Sequence, residues 1–314
     1  MSWRDLIENK VEEEASYQYL TGLIGGHRPS TYSVSPKVWN AAFHEFGLPA
    51  AYLPFDVAGE GLEEFVEGLR NDKRLRGFNI TIPYKKRIID LLDRTESFAA
   101  KVEAVNTVVM KGDELVGFNT DGEGLVAAVE EQFGDIGGKR ILQLGAGEAG
   151  NAIAYTLAQR GARLRLVNRT LAKAIALSDL INYRLHPKSL VVAGGEEKIS
   201  DWSPWAEVII NTSTKGFDKL GGVSALWSTD QDNGQRSVEI ARAVPKSTIF
   251  IDIIFSPSET VMLRQARESG HQTQNGLGML IHQAALSFEK IFAEEVRKKA
   301  IDRSRIVHAM RGAL

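Results

Sequence analysis

Cysteine is absent from all 314 residues. That absence excludes disulfides, thiolate nucleophiles and cysteine-bound zinc, and no metal site is expected. Long apolar runs are absent too, so no membrane-spanning helix is expected. Neither sign of charge dominates: the net charge is −2. Without a basic excess there is no electrostatic case for nucleic acid or an anionic membrane as partner. No internal repeat is visible. The opening stretch "MSWRDLIENKVEEEASY" is polar and acidic, unlike a signal peptide. The expectation is a cytoplasmic protein.

What the chain does contain is alternation. Its hydrophobic content is 43% and its charged content 25%, ordinary for a globular protein, and its length suffices for two domains. "YLTGLIG", "AAYLPFDV" and "GFNITIP" read as strands. Between and after them "SPKVWNAAFHEFG", "GLEEFVEGLRND" and "KKRIIDLLD" read as helices. "AVNTVVMKG" and "ELVGFNTD" predict a hairpin around Gly112 and Asp113. Strand–helix alternation implies a largely parallel sheet covered on both faces. A second alternating unit begins near Gly138, with strands in "KRILQLGAG", "ARLRLVNR", "SLVVAGG", "AEVIINTS" and "STIFIDIIF". The stretch 218–246 is rich in Gly, Ser, Asp and Asn and reads as a loop insertion. The tail from Gly278 reads as long helix with apolar helical spacing.

"LGAGEAG" sets Gly145, Gly147 and Gly150 at G-x-G-x-x-G spacing between a strand and a helix. This is the context in which the pattern signals a dinucleotide site. Gly145 permits the tight turn, Gly147 lets backbone approach a pyrophosphate, and Gly150 lets helix pack on strand. The helix N-terminus faces the negative charge. The next strand ends in Asn168, Arg169 and Thr170, where an NAD enzyme of this type carries an acid for the ribose 2′-hydroxyl. A guanidinium can stack on adenine and pair with a 2′-phosphate. NADP is therefore expected over NAD, with NAD possible.

Ser33 and Ser35 stand two apart before Pro36. In an extended segment both hydroxyls point one way, and beside a helix N-terminus they suit a carboxylate. Ser35 reads equally well as a plain N-cap. In "GFNITIPYKK", Asn79 and Thr81 alternate with Ile80 and Ile82, giving one polar strand face, and Pro83 is expected to end the strand. Lys85 follows it. Alone it reads as a solvated lysine. With Asn106 and Asp121 also at strand ends, a crevice site becomes the better reading. An Asp facing a Lys there can support proton transfer.

These segments make the chain resemble the shikimate dehydrogenase family, which includes quinate and aminoshikimate dehydrogenases. "GLIG", "YSVSPKVWNAAFHEFGL", "GFNITIPYK", "AVNTV", "FNTDGEG", "GAGEAG", "NRT", "IDIIFSP" and "NGLGMLIHQAALSFE" carry the likeness from about Gly22 to Phe292, in the family's order. The resemblance implies reversible hydride transfer between NADPH and 3-dehydroshikimate, on an α/β fold of two domains. A substrate domain would span 1–121 and a Rossmann-type NADP domain 122–276, with C-terminal helices, 277–314, returning to the substrate domain. Ser33 and Ser35 would bind the substrate carboxylate, and Asn79, Thr81, Asn106 and Gln283 its ring hydroxyls. Lys85 and Asp121 would be the catalytic pair. The cofactor set would extend over Gly145, Ala146, Gly147, Glu148, Ala149, Gly150, Asn168, Arg169, Thr170, Thr212, Ser213, Gly276 and Met279. The expected partner is a small polyhydroxy carboxylate, and the protein a monomer or homodimer.

The chain departs from the family pattern in places. Phe255 stands where the family commonly has a Tyr that touches substrate. Glu103 replaces a Gly, Trp39 a His, and Glu148 a Gly of the phosphate loop. Shikimate, quinate and an amino analogue all stay open as substrate. Two other classes also remain: a methylenetetrahydrofolate dehydrogenase on a related architecture, and a non-catalytic NADP sensor. Ser33-x-Ser35 with Pro36 argues against the first. The Lys85 and Asp121 pair argues against both.

Overall fold

The computed structural model describes residues 2–11, 17–185 and 191–314. They form two compact units, Met1–Thr120 with Ile281–Leu314, and Asp121–Leu280.

The first unit is built on a six-stranded sheet. Its strands are β1 (Tyr19–Gly25), β2 (Ala50–Asp56), β3 (Gly77–Ile80), β4 (Arg94–Thr95), β5 (Thr107–Lys111) and β6 (Glu114–Phe118), in the order β2-β1-β3-β5-β6-β4. β1 pairs with β2 and β3 in parallel, while β5 runs antiparallel to both β3 and β6. The sheet is therefore mixed rather than largely parallel: a tight hairpin has to return antiparallel. That hairpin turns at Gly112 and Asp113, as its sequence predicts. Pro54 is tolerated because β2 is an edge strand. The Asn9 side chain covers this edge, donating to Pro54 O at 3.0 Å and accepting the Asp56 N–H at 2.8 Å.

Helices α1 (Ser35–Phe46), α2 (Leu62–Arg70) and α3 (Ser97–Val102) cover the sheet. α1 buries Val38, Trp39, Ala42, Phe43 and Phe46, a stripe at helical spacing. "KKRIIDLLD" forms only a short 3-10 helix, Arg87–Leu91. The chain is needed in β4 immediately afterwards: Asp93 both donates its N–H to Leu115 O and accepts the Leu115 N–H. Regular strand β3 ends at Ile80. Single backbone bonds to Ile24 of β1 and to Gly26 just after it continue as far as the Ile82 carbonyl, the residue before Pro83. All four residues of β3 are buried, so it has no solvated polar face.

The second unit carries α4 (Asp121–Phe133), β7 (Arg140–Leu144), α5 (Glu148–Gln159), β8 (Arg163–Val167), α6 (Leu171–Leu185), β9 (Val191–Gly194), α7 (Ile199–Trp202), β10 (Val208–Asn211), α8 (Asn233–Ala243), β11 (Ile249–Asp252), α9 (Val261–Glu268) and β12 (Thr273–Gln274). Its six strands are all parallel, in the order β12-β11-β10-β7-β8-β9. Continuous buried runs in β7 and β10 fit a sheet covered on both faces. Ser189 and Leu190 of the expected strand "SLVVAGG" lie outside the described residues. The region 218–246 is more than a loop. It contains α8, whose Asn233 side chain donates to the Ser224 and Ser228 carbonyls and whose Ile240 and Ala241 are buried.

The tail divides into α10 (Leu277–Ile291), α11 (Ala293–Lys298) and α12 (Arg303–Arg311). Phe292 leaves helical geometry between the first two, and Ala300 takes a positive φ of 50°. The Asp302 carboxylate then caps α12, accepting the Arg305 N–H at 2.9 Å. In the first unit Phe288 and Phe292 pack on Trp39 and Phe43 of α1.

Candidate active site

In the first unit, Asn79, Asn106 and Gln283, all singled out in the sequence, meet in one buried network with Ser35 beside it. The Ser35 side chain lies near the Tyr52 phenol and lowers its pKa. Tyr52 Oη donates to Asn79 Oδ1 at 3.0 Å. Asn79 Nδ2 faces Asn106 O at 3.1 Å, Thr107 Oγ1 at 3.1 Å and Ser287 Oγ at 3.2 Å. Asn106 Nδ2 reaches Thr120 Oγ1 at 2.9 Å and Gln283 Oε1 at 3.4 Å. Each polar atom of the Asn79 amide therefore has a protein partner, as burial requires. Burial pushes the Tyr52 phenol well above its ordinary value, against the pull of the nearby Ser35 side chain.

Ser33 and Ser35 do not lie in an extended segment. Val34 between them has α-region geometry and is the N-cap of α1. Ser33, one residue before the N-cap, accepts the Ser35 N–H on its Oγ at 3.2 Å. Ser35 is the first residue of α1 and makes no cap bond. Thr81 lies outside the Asn79 network, near the half-buried Tyr32. Burial raises the Tyr32 phenol, the nearby Thr81 side chain lowers it, and the Asp56 charge raises it. A Cβ on Gly25 would come within 2.6 Å of the Thr81 methyl, so glycine there makes room for this side chain. Lys85 is half-buried in the turn after β3, its carbonyl held by the Val105 N–H at 2.8 Å. Its neighbour Lys86 pairs with Glu103 at 2.7 Å. Glu103, where a glycine would be free of strain, has a φ of 51° and ends α3.

Tyr52, Thr107, Thr120 and Ser287 were not singled out in the sequence. They sit in strands, in a short loop and on a helix, and only the fold brings them to the two asparagines. Asp121 and Phe255 belong to the second unit. Asp121 opens α4 and is buried. Phe255 is half-buried in the loop after β11.

The second unit holds a cavity of about 220 Å³ at the carboxyl ends of its central strands. Among its lining residues are Gly145, Ala146, Gly147, Asn168, Arg169 and Thr170. Thr212 and Ser213 line it too, with Lys173, Glu196 and Lys215 beside them. Glu148, Ala149, Gly150, Gly276 and Met279 are not among them. The first three form the opening turn of α5, whose N-cap is Gly147 with no side-chain cap bond.

The glycine loop fits a dinucleotide. A Cβ on Gly147 would meet nothing within 4 Å and would take up space in the cavity that Gly147 lines. At Gly145, with φ +118°, a Cβ would lie 2.8 Å from Ser213 N. At Gly150 it would lie 2.7 Å from Thr212 Oγ1. The loop is braced from below by Gln143, whose Nε2 donates to the Gly145 and Gly150 carbonyls, each at 2.9 Å. Asn168 is a clamp: its Oδ1 accepts the Ala146 N–H at 3.1 Å and its Nδ2 donates to Thr170 O at 2.9 Å. Arg169 and Lys173 supply two cations suited to a phosphate.

A parallel sheet that delivers a glycine turn to a cavity with Arg169, Lys173 and Lys215 in its wall is the architecture of a nucleotide-dependent oxidoreductase. Comparison with known proteins narrows the class. Residues 24–108 match the profile of the shikimate dehydrogenase substrate binding domain, and residues 127–191 that of shikimate / quinate 5-dehydrogenase. A shikimate dehydrogenase (NADP(+)) of Alkaliphilus oremlandii is 36% identical over 272 residues, 86% of this chain and 90% of the relative. A crystal structure of a shikimate dehydrogenase in complex with NADP+ superposes with a TM-score of 0.78 at 31% identity, covering 94% of this chain and 95% of the other. The shikimate 5-dehydrogenase of Listeria monocytogenes, solved with shikimate and NAD, gives 0.77 at 32% identity, covering 91% and 96%. The chain belongs to the shikimate dehydrogenase family.

Proposed function

We propose that this chain is an NADP-dependent shikimate dehydrogenase. It moves hydride reversibly between NADPH and 3-dehydroshikimate, giving shikimate for aromatic amino acid biosynthesis. The observation that carries the reading is the buried network of Tyr52, Asn79, Asn106 and Gln283, with Ser35 beside it, which gathers amides and hydroxyls for a polyhydroxy ligand in the unit that also holds Lys85.

When bound, NADP accepts or supplies the hydride. The chain supplies binding and the proton. In oxidation Lys85 Nζ, as the free amine, takes the hydroxyl proton while the C–H hydride leaves. In reduction the ammonium returns it to the carbonyl oxygen. Asp121 supplies the carboxylate for the same acid–base step. Ser33 and Ser35, at the start of α1, are assigned to the substrate carboxylate. Asn79, Thr81, Asn106 and Gln283 are assigned to its hydroxyls, a substrate oxygen replacing one internal partner of Asn79. Gly145 to Gly150 hold the pyrophosphate, Arg169 and Thr170 the 2′-phosphate end, and Gly276 and Met279 the nicotinamide end. No helix among the described residues is long and apolar enough to cross a membrane, and a cytoplasmic location is part of the proposal.

A second reading, quinate or an amino analogue as substrate, follows from Phe255, which offers no hydroxyl where the family commonly has tyrosine. Steady-state kcat/KM for shikimate and quinate, each with NADP+ and NAD+, decides. The proposal expects shikimate with NADP+ to be the best pair. A quinate preference would move the chain to the second reading, and no turnover of either would refute both.

A further inference from the structure

Lys215 and Glu196 form an ion pair in the wall of the cofactor cavity. Lys215 Nζ lies 2.5 Å from Glu196 Oε1, with the side chains only 8% and 18% exposed. The same ammonium donates to the Trp227 carbonyl. Both side chains line the cavity that Arg169, Thr170 and Lys173 line. The parallel sheet explains the meeting: Glu196 follows the end of β9, Arg169 the end of β8 and Lys215 the end of β10.

A carboxylate in this place has a consequence. At the end of the second Rossmann strand, an acid accepts a ribose 2′-hydroxyl and repels a 2′-phosphate. Here that strand end carries Asn168, but Glu196 brings a carboxylate to the same cavity from the next strand. In a partly buried cavity one unpaired charge acts over several ångströms with little screening. We propose that Lys215 is a specificity-determining residue. By neutralising Glu196 it keeps that carboxylate from opposing the 2′-phosphate, so that Arg169 and Lys173 can select NADP. The proposal rests on the cofactor reading above.

The backbone around Lys215 does not depend on its ammonium. The Lys215 carbonyl accepts Asn211 Nδ2 at 2.9 Å, and its N–H donates to Ser213 Oγ at 3.2 Å. Lys215→Met therefore removes the charge and keeps the segment anchored.

The test is calorimetric, with Kd for NADP+ and NAD+ measured on wild type, Lys215→Met, Glu196→Gln and the double variant. Lys215→Met should weaken NADP+ on the order of tenfold, the scale of one charge pair in a partly buried site, and NAD+ less than about twofold. The double variant should restore the wild-type ratio. Glu196→Gln alone should tighten NADP+ by about threefold, because the Lys215 ammonium is then unopposed; this arm decides the matter if Lys215→Met does not fold. Parallel weakening of both cofactors would make Lys215 merely structural. Loss without rescue in the double variant would mean that Lys215 touches the phosphate itself. Either result, or no change in any variant, overturns the proposal. A wild type that binds NAD+ as tightly as NADP+ overturns the cofactor reading instead.

Discussion

The Ser33 hydroxyl accepts the backbone N–H of Ser35 at 3.2 Å, while the Ser35 side chain is buried near Tyr52. Two serines that look alike in the sequence thus do different work. Ser33→Ala should cost about 1 kcal/mol in chemical denaturation, the usual net worth of one hydrogen bond. Ser35→Ala should raise KM for shikimate and leave Kd for NADP+ unchanged. Efficient turnover of the methyl ester of shikimate would remove both serines from carboxylate binding.

Asp252 makes stability depend on pH. Burial pushes its carboxyl up from 3.8 to about 7, against bonds from the Ile254 N–H, Asn211 and Thr260. Between these two values the unfolded chain has released a proton that the native state keeps. Stability therefore falls as pH rises from about 4 to about 7, by at most about 1.4 kcal/mol per pH unit, and this contribution levels off above. Denaturation series across that range should show the decline. Asp252→Asn should flatten it, at a lower absolute stability, because an amide would set its NH₂ against Asn211 Nδ2, which now donates to both carboxylate oxygens at 3.1 Å. A slope that survives the substitution would assign it to other groups.

Arg169→Ala should raise KM for NADP+ and leave KM for NAD+ nearly unchanged. A lost charge-assisted bond to phosphate is worth roughly 1.5–3 kcal/mol. Equal losses with both cofactors would place Arg169 on the adenine or the pyrophosphate rather than on the 2′-phosphate.

Phe255→Tyr should raise kcat/KM for shikimate severalfold, within the roughly 0.5–1.5 kcal/mol of one neutral hydrogen bond. Parallel kinetics on quinate provide the control. No gain on either substrate would mean that a hydroxyl is not what this position lacks.

The glycine loop was legible because its signal is local. Gly145, Gly147 and Gly150 need only their own turn and helix to have meaning, and the cavity residues next to them in sequence follow. Lys173, Glu196 and Lys215 were not legible, since separate parallel strands bring them together. Spacing misled at Ser33 and Ser35, because two residues apart looks the same in a strand and in a turn entering a helix. It misled again in the tail, where apolar periodicity runs through the breaks at Phe292 and Ala300. Composition misled over 218–246, where Asn233 and Ser237 are buried and bonded rather than solvated. Tyr52 and Ser287 carried no signal at all. Their importance lies in touching Asn79, from positions 27 and 208 residues away.

The proton transfer at Lys85 is the centre of the account, and one comparison tests it most directly. Shikimate oxidation is followed in wild type and Lys85→Ala at saturating NADP+, with NADP+ Kd measured on both. The account predicts that kcat falls by roughly 10²–10⁴, the range for a general acid–base group, with Kd unchanged. An unchanged kcat would contradict it.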